Sequence, residues 1–169
     1  MAGFKLAIAP VLKWEGGYVK DPDDEGGETY RGITRKNWPF WPGWAQVDAA
    51  KPIKKGKYIP LADPFVEEFY EKHYWEPIKG DLIHDQRTAG FLLDFYVHSG
   101  YHAVEAIQTV AGVTPDGIFG PQTLAAINKA GSLFDQLKAS RIAFLHAASK
   151  RKSNIKFLAG WLRRVNSFK

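Results

Sequence analysis

The sequence predicts a mainly α-helical protein with one irregular stretch in its first third. Three observations carry this. Apolar residues recur at three- and four-residue spacing in seven segments. Glycine or proline punctuates most of those segments. Between residues 18 and 63 that periodicity gives way to turn chemistry. At 169 residues the chain is about one typical domain, long enough to bury a sizeable core.

Phe4, Ile8, Val11 and Leu12 share one face of a first helix, bent at Pro10 and stopped by Gly16-Gly17. Asp21-Pro22-Asp23-Asp24-Glu25-Gly26-Gly27 and Thr29-Tyr30-Arg31-Gly32-Ile33-Thr34 then read as a long loop with a small hairpin. Residues 37–63 are broken by Pro and Gly around Trp38, Trp41 and Trp44, so a short helix at most is expected there. Those tryptophans read either as a loop anchor, the preferred reading, or as a groove wall. Asp63-Pro64 reads as an N-cap and first helical residue, opening a helix with Phe65, Phe69 and Tyr70 on one face. Residues 87–99, 102–111 and 121–129 predict three further helices, with a turn at Thr114-Pro115-Asp116-Gly117. Ser132 caps the next, and residues 155–165 form a short last helix.

Composition excludes several classes. There is no cysteine, hence no disulfide scaffold, thiolate zinc site or cysteine nucleophile. No window reaches the ~18 apolar residues of a membrane span. The run Leu6–Leu12 has one preceding lysine, an internal proline and no small-residue cleavage site, so it reads as a helix and not a signal peptide. The net charge of +5 is uneven: residues 136–169 carry nine Lys/Arg and no Asp/Glu, while the rest carries 14 against 18, or −4. The basic end suits an anionic partner (nucleic acid, wall polymer or membrane surface) or is a solvated helix face.

Glu15 stands at the C-terminal end of the first helix between Trp14 and Tyr18. The negative end of the helix dipole and the aromatic neighbours both disfavour the anion, which suits a general acid. The alternative is an exposed helix-end glutamate. Asp21, Asp23, Glu25 and Gly26 match positions of a calcium loop, but the twelfth position is Gly32, where a bidentate Glu is required. One acid of this loop can instead be a second catalytic group. Asp24 lies nine residues after Glu15, and Thr29 fourteen. Glycoside hydrolysis needs one protonated carboxyl and one ionised carboxyl, and a threonine hydroxyl can orient the water.

Glu15-Gly-Gly-Tyr18, Asp24, Gly26-Gly27, Thr29 and Gly32-Ile-Thr34 read as E-G-G-Y-x5-D-x-G-G-x-T-x2-G-I-T, eleven defined positions in twenty. This resembles the signature of glycoside hydrolase family 108, phage and bacterial N-acetylmuramidases once described as secretion activators. Tyr70-x3-Tyr74-Trp75 and Asp94-x5-Gly100 resemble the family's middle helices. Ala106-Ile-Gln108, Val113 and Asp116-Gly-Ile-Phe-Gly-Pro-Gln-Thr-Leu-Ala-Ala126 resemble its C-terminal segment, which is predicted to bind peptidoglycan.

The resemblance implies a two-lobed, lysozyme-like fold and cleavage of the β-1,4 bond between N-acetylmuramic acid and N-acetylglucosamine. It implies a catalytic lobe over residues 1–100 and a peptidoglycan-binding helical lobe over 101–169, packed as one unit. Glu15 carries over as the acid. Analogy with phage-type lysozymes adds Asp24 as base or electrostatic partner and Thr29 as water-positioner. Tyr18 and Tyr30 flank the acids and are candidates for substrate contact. His98 stands where the family pattern has an asparagine, so it is either a sugar contact titrating near neutral pH or a partner of local backbone. The expected partner is peptidoglycan glycan, met by a monomer with no metal or organic cofactor, no nucleic acid and no stable membrane insertion. The chain is expected to be made in the cytoplasm and to reach the periplasm or cell wall by a holin or dedicated export. Competing readings are a lytic transglycosylase using Glu15 alone, a non-catalytic wall-binding or secretion-assisting protein, and a nucleic-acid binder working through the basic helices.

Overall fold

The computed structural model describes residues 1–20, 27–151 and 153–169. Helix α1 (Phe4–Trp14) precedes three antiparallel strands, β1 (Tyr18–Lys20), β2 (Glu28–Tyr30) and β3 (Ile33–Thr34), in the order β1-β2-β3. Helices α2 (Trp44–Ala49), α3 (Asp63–Tyr70), α4 (Gln86–Ser99), α5 (Tyr101–Val110), α6 (Pro121–Ala130), α7 (Phe134–Ser149) and α8 (Leu158–Ser167) follow. Internal contacts divide the chain into two compact units, Val11–Lys72 and Met1–Pro10 with His73–Lys169. No helix among the described residues is long and apolar enough to cross a membrane.

In the unit Val11–Lys72 the register Tyr30↔Ile33 closes a two-residue turn, Arg31-Gly32. Arg31 has φ 49° and Gly32 φ 79°. Two successive positive φ values give the primed turn whose twist matches that of paired strands. Tyr30 and Ile33 both point into the core of this unit, fully buried. The stretch expected to be irregular is pinned by its tryptophans. Trp41 Nε1 donates to Phe65 O at 3.2 Å and Trp44 Nε1 to Trp38 O at 2.7 Å. The Trp41 and Trp44 rings meet edge to face at 5.1 Å. Asp63 differs from expectation. A 3-10 turn at Pro60–Ala62 runs directly into α3, so Asp63 is already helical and caps nothing. Its carboxylate instead accepts from the Tyr30 hydroxyl at 3.0 Å.

In the other unit, Asp85 caps α4 by accepting from Thr88 N at 2.8 Å. Ser132, expected to cap the following helix, donates to Asp85 Oδ1 at 3.1 Å, and α7 starts two residues later. A Cβ on Gly90 would lie 3.6 Å from the Ala7 α-carbon, so the start of α1 packs closely on α4. Trp75 is fully buried, its indole N–H on Asp81 at 2.9 Å. A side chain at Gly80 would overlap that ring. Gln108 on α5 knits the 114–118 turn together. Its amide nitrogen reaches Asp116 Oδ1 at 2.7 Å and its amide oxygen accepts from Gly117 N at 3.0 Å. The Asp116-Gly117 motif is thus a helix-to-helix corner in its own right.

The basic end is partly internal. Asp94, fully buried on α4, accepts from Arg141 Nη1 at 2.6 Å and from Arg164 Nη2 at 2.6 Å. Two of the nine cations after residue 135 therefore serve a buried carboxylate. The exposed remainder includes Lys150, Arg151, Lys156 and Arg163.

Candidate active site

Gly16 and Gly17 end α1 for different reasons. Gly16 has φ 68°, the left-handed conformation that reverses the chain after a helix. Gly17 lies against the backbone of residues 56 and 57, where an added Cβ would fall 2.4 Å from Gly56 O. Tyr18 N then donates to Lys57 O at 2.8 Å, and Gly56 N to Tyr18 O at 2.7 Å. The pair leaves Glu15 as the first residue beyond α1, half-buried, with its backbone N–H still bonded to Val11 O at 3.3 Å.

The Glu15 carboxylate is set against the β2–β3 turn. A Cβ built on Gly32 would lie 2.7 Å from Glu15 Oε2 and 2.6 Å from the Tyr70 hydroxyl oxygen. Only glycine, with a positive φ and no side chain, suits that point. The turn is itself tied down. The Tyr70 hydroxyl donates to Arg31 O at 2.8 Å. Arg31 Nη1 donates to Leu12 O at 3.0 Å, satisfying one of the last carbonyls of α1. Arg31 Nε lies 3.6 Å from Asp63 Oδ1.

Thr29 sits half-buried on β2, paired with Val19 on one side and Thr34 on the other. Glu15 and Thr29 therefore belong to one unit, joined through the hairpin. Asp24 and the calcium-like run from Asp21 to Gly26 lie outside the described residues. No group of three or more metal-ligating side chains occurs among the described residues.

Tyr18 and Tyr30 occupy other roles than the substrate contacts expected of them. Tyr30 is 0% exposed; its hydroxyl accepts from Ile59 N at 2.8 Å and its ring stacks on Trp41. Tyr18 is 5% exposed and donates to Glu28 Oε1 at 2.8 Å. Neither ring has a face left for a sugar, because the strand alternation that flanks the acids also points these residues inward. Glu28 is the centre of a charged cluster. It also meets Arg35 and Lys51, which both reach Asp48. Burial pushes the Glu28 pKa up, but hydrogen bonds from Lys51, Tyr18 and Arg35 outweigh it and leave the pKa lowered.

His98 lies near the end of α4, in the other unit. It keeps an exposed edge, yet desolvation of its ring, then Arg164 and Arg141, bring its pKa from 6.5 down to about 4. It is therefore neutral at pH 7 and does not titrate near neutrality as expected. Desolvation of the ring is the larger cause, and the arginine pair recruited by Asp94, one helical turn before it, adds to it.

Residues 8–100 match the family model described as Glycosyl hydrolase 108. The chain belongs to the glycosyl hydrolase 108 family. Residues 102–166 match a second model, described as a Predicted Peptidoglycan domain. Among solved structures the chain is similar to SagA of Brucella abortus. The identity is 30% and the TM-score 0.63, with 98% of this chain and 94% of that one covered. No curated protein matches. The fold is lysozyme-like and mainly helical, with its loop and small sheet after the first helix. Both matches tie this glycosyl hydrolase 108 protein to peptidoglycan.

Within the family signature the structure separates positions that the sequence leaves equal. Gly16, Gly17 and Gly32 each answer a different backbone demand around Glu15. Arg31, which falls in a variable position of the motif, links the turn to α1. Tyr70 was legible as an apolar-face residue of α3 and as part of the Tyr70-x3-Tyr74-Trp75 motif; its hydroxyl end, which reaches the hairpin, carried no local signal.

Proposed function

We propose that the protein is a peptidoglycan hydrolase, an N-acetylmuramidase that cleaves the β-1,4 bond between N-acetylmuramic acid and N-acetylglucosamine. Glu15 is the general acid, giving its proton to the glycosidic oxygen as the bond to C1 breaks. Asp24 is the ionised partner that receives the proton of the attacking water or steadies the charge at C1. Thr29 orients that water. Residues 1–100 form the catalytic lobe and 101–169 the lobe that holds the wall polymer.

The observation that supports this reading is the seat of Glu15. Its carboxylate lies against a glycine turn that is itself bonded to α1 and α3, so the proton donor packs against an anchored turn. A general acid fixed in this way needs no reorganisation when substrate arrives. The test is digestion of purified peptidoglycan by wild type and Glu15→Gln, with mass spectrometry of the soluble products. Clearing by wild type alone, with reducing N-acetylmuramic acid ends, is the expected result. Anhydro ends reassign the activity to a lytic transglycosylase. Equal behaviour of the two proteins removes Glu15 from the chemistry and leaves a wall-binding protein.

A further inference from the structure

The hairpin that seats Glu15 carries a second threonine. Thr29 and Thr34 are Cα partners across β2 and β3. The next pair outward is hydrogen-bonded, with Arg35 N donating to Glu28 O at 2.8 Å, and the pair inward, Tyr30 and Ile33, closes the turn. Hydrogen-bonded and non-hydrogen-bonded pairs alternate along an antiparallel ladder. Thr29 and Thr34 are therefore a non-hydrogen-bonded pair, with Cα atoms about 4.5 Å apart and side chains adjacent on one face. That face is opposite the one through which Tyr30 and Ile33 enter the core.

Thr34 Oγ1 is buried and has no hydrogen-bond partner among the described residues. An uncompensated buried hydroxyl costs about 1–3 kcal/mol, so such groups are normally satisfied by water when protein offers nothing. Two threonine side chains side by side, one with a hydroxyl that lacks a partner among the described residues, form a cradle for a single water molecule. The cradle is close to the acid. Thr34 is two residues beyond Gly32, roughly 7 Å along the strand, and Gly32 is where Glu15 Oε2 is seated.

We propose that Thr34 is a positioning residue for the hydrolytic water, acting together with Thr29. The proposal rests on the muramidase reading above. In the step it serves, Glu15 delivers its proton to the leaving oxygen as the C1–O bond breaks. The held water adds its oxygen to C1 and gives up one proton to the carboxylate base. When that water is lost, the substrate's own C6 hydroxyl can close on C1 and lose its proton to the same acceptor, leaving a 1,6-anhydro end. Thr34 thus sets the partition between hydrolysis and internal transfer.

The experiment compares wild type, Thr34→Val, Thr34→Ser and Glu15→Gln on solubilised glycan strands, recording kcat, KM, the ratio of anhydro to reducing ends, and Tm. Thr34→Val is expected to lower kcat about tenfold or more with KM little changed. It should raise the anhydro fraction, while its Tm holds because no protein hydrogen bond among the described residues is lost. Thr34→Ser should restore both kcat and product ratio. Wild-type kcat and products in Thr34→Val would overturn the proposal, as would a loss of kcat that merely follows a fall in Tm. If wild type releases no new ends, or Glu15→Gln remains active, the muramidase reading fails and takes this one with it. Cutting by wild type and equally by Thr34→Val overturns the Thr34 role alone.

Discussion

Asp94 and Arg164 stand 70 positions apart in the chain, yet Arg164 Nη2 lies 2.6 Å from Asp94 Oδ1 in a buried pair. Arg141 completes the group from α7 at 2.6 Å, its guanidinium 5.0 Å from the centre of the Phe95 ring. Removing one member of such a group leaves buried charge uncompensated, which costs about 3–5 kcal/mol. Asp94→Asn should therefore lower the thermal midpoint by about 10 °C. Calorimetry on the full chain checks this, and a loss under about 1 kcal/mol would mean that the two arginines find water instead.

Gly32 and Gly131 have nearly equal positive φ values, 79° and 78°, but different surroundings. A Cβ at 131 meets nothing within 4 Å, whereas one at 32 strikes Glu15 and Tyr70. Alanine at either position should cost about 1–2 kcal/mol or more, because a side chain disfavours positive φ. Gly32→Ala should in addition displace the Glu15 carboxylate and reduce glycan cleavage about a hundredfold, while Gly131→Ala keeps the wild-type rate. Equal rates in the two variants would show that the seat of Glu15 is unimportant.

The helices were legible because their apolar period and their Gly or Pro stops are local signals, as at Gly16, Gly100 and Pro121. The position of Glu15 at the end of α1 was legible for the same reason. Asp94 was legible only as a motif residue, because its partners come from α7 and α8, far along the chain. Tyr18 and Tyr30 misled because adjacency to acids in sequence says nothing about strand parity, which turns both rings inward. Asp63 looked like a cap, but the preceding 3-10 turn had already opened the helix and released its carboxylate to Tyr30.

The Glu28 cluster predicts an acid-sensitive component of stability. The folded pKa of Glu28 is lowered, because hydrogen bonds from Lys51, Tyr18 and Arg35 outweigh the opposing effect of burial. A carboxylate with a lowered folded pKa adds stability above its unfolded value of about 4.3, and that contribution disappears as pH falls through the folded value. Glu28→Gln should thus be less stable than wild type by about 1–3 kcal/mol at pH 7. The two proteins should converge as pH falls through the lowered folded pKa of Glu28 and wild-type Glu28 protonates. Denaturant titrations over a series of falling pH values measure the difference, and a gap independent of pH would assign the effect to packing.

His98 predicts a second pH-dependent component, in a higher window. Its pKa is lowered from 6.5 to about 4, with ring desolvation the largest cause, Arg164 and Arg141 adding to it and Asp94 opposing. Above pH 6.5 the imidazole is neutral in both folded and unfolded chains, so it adds no pH dependence. Between pH 6.5 and about 4 the unfolded chain takes up a proton that the folded chain refuses. Stability should therefore fall as pH drops through this window. His98→Asn cannot take up that proton in either state and should flatten this part of the profile. NMR titration of the His98 ring provides the direct check. A midpoint near 6.5 would show that its exposed edge, and not ring desolvation with the arginine pair behind it, sets its protonation.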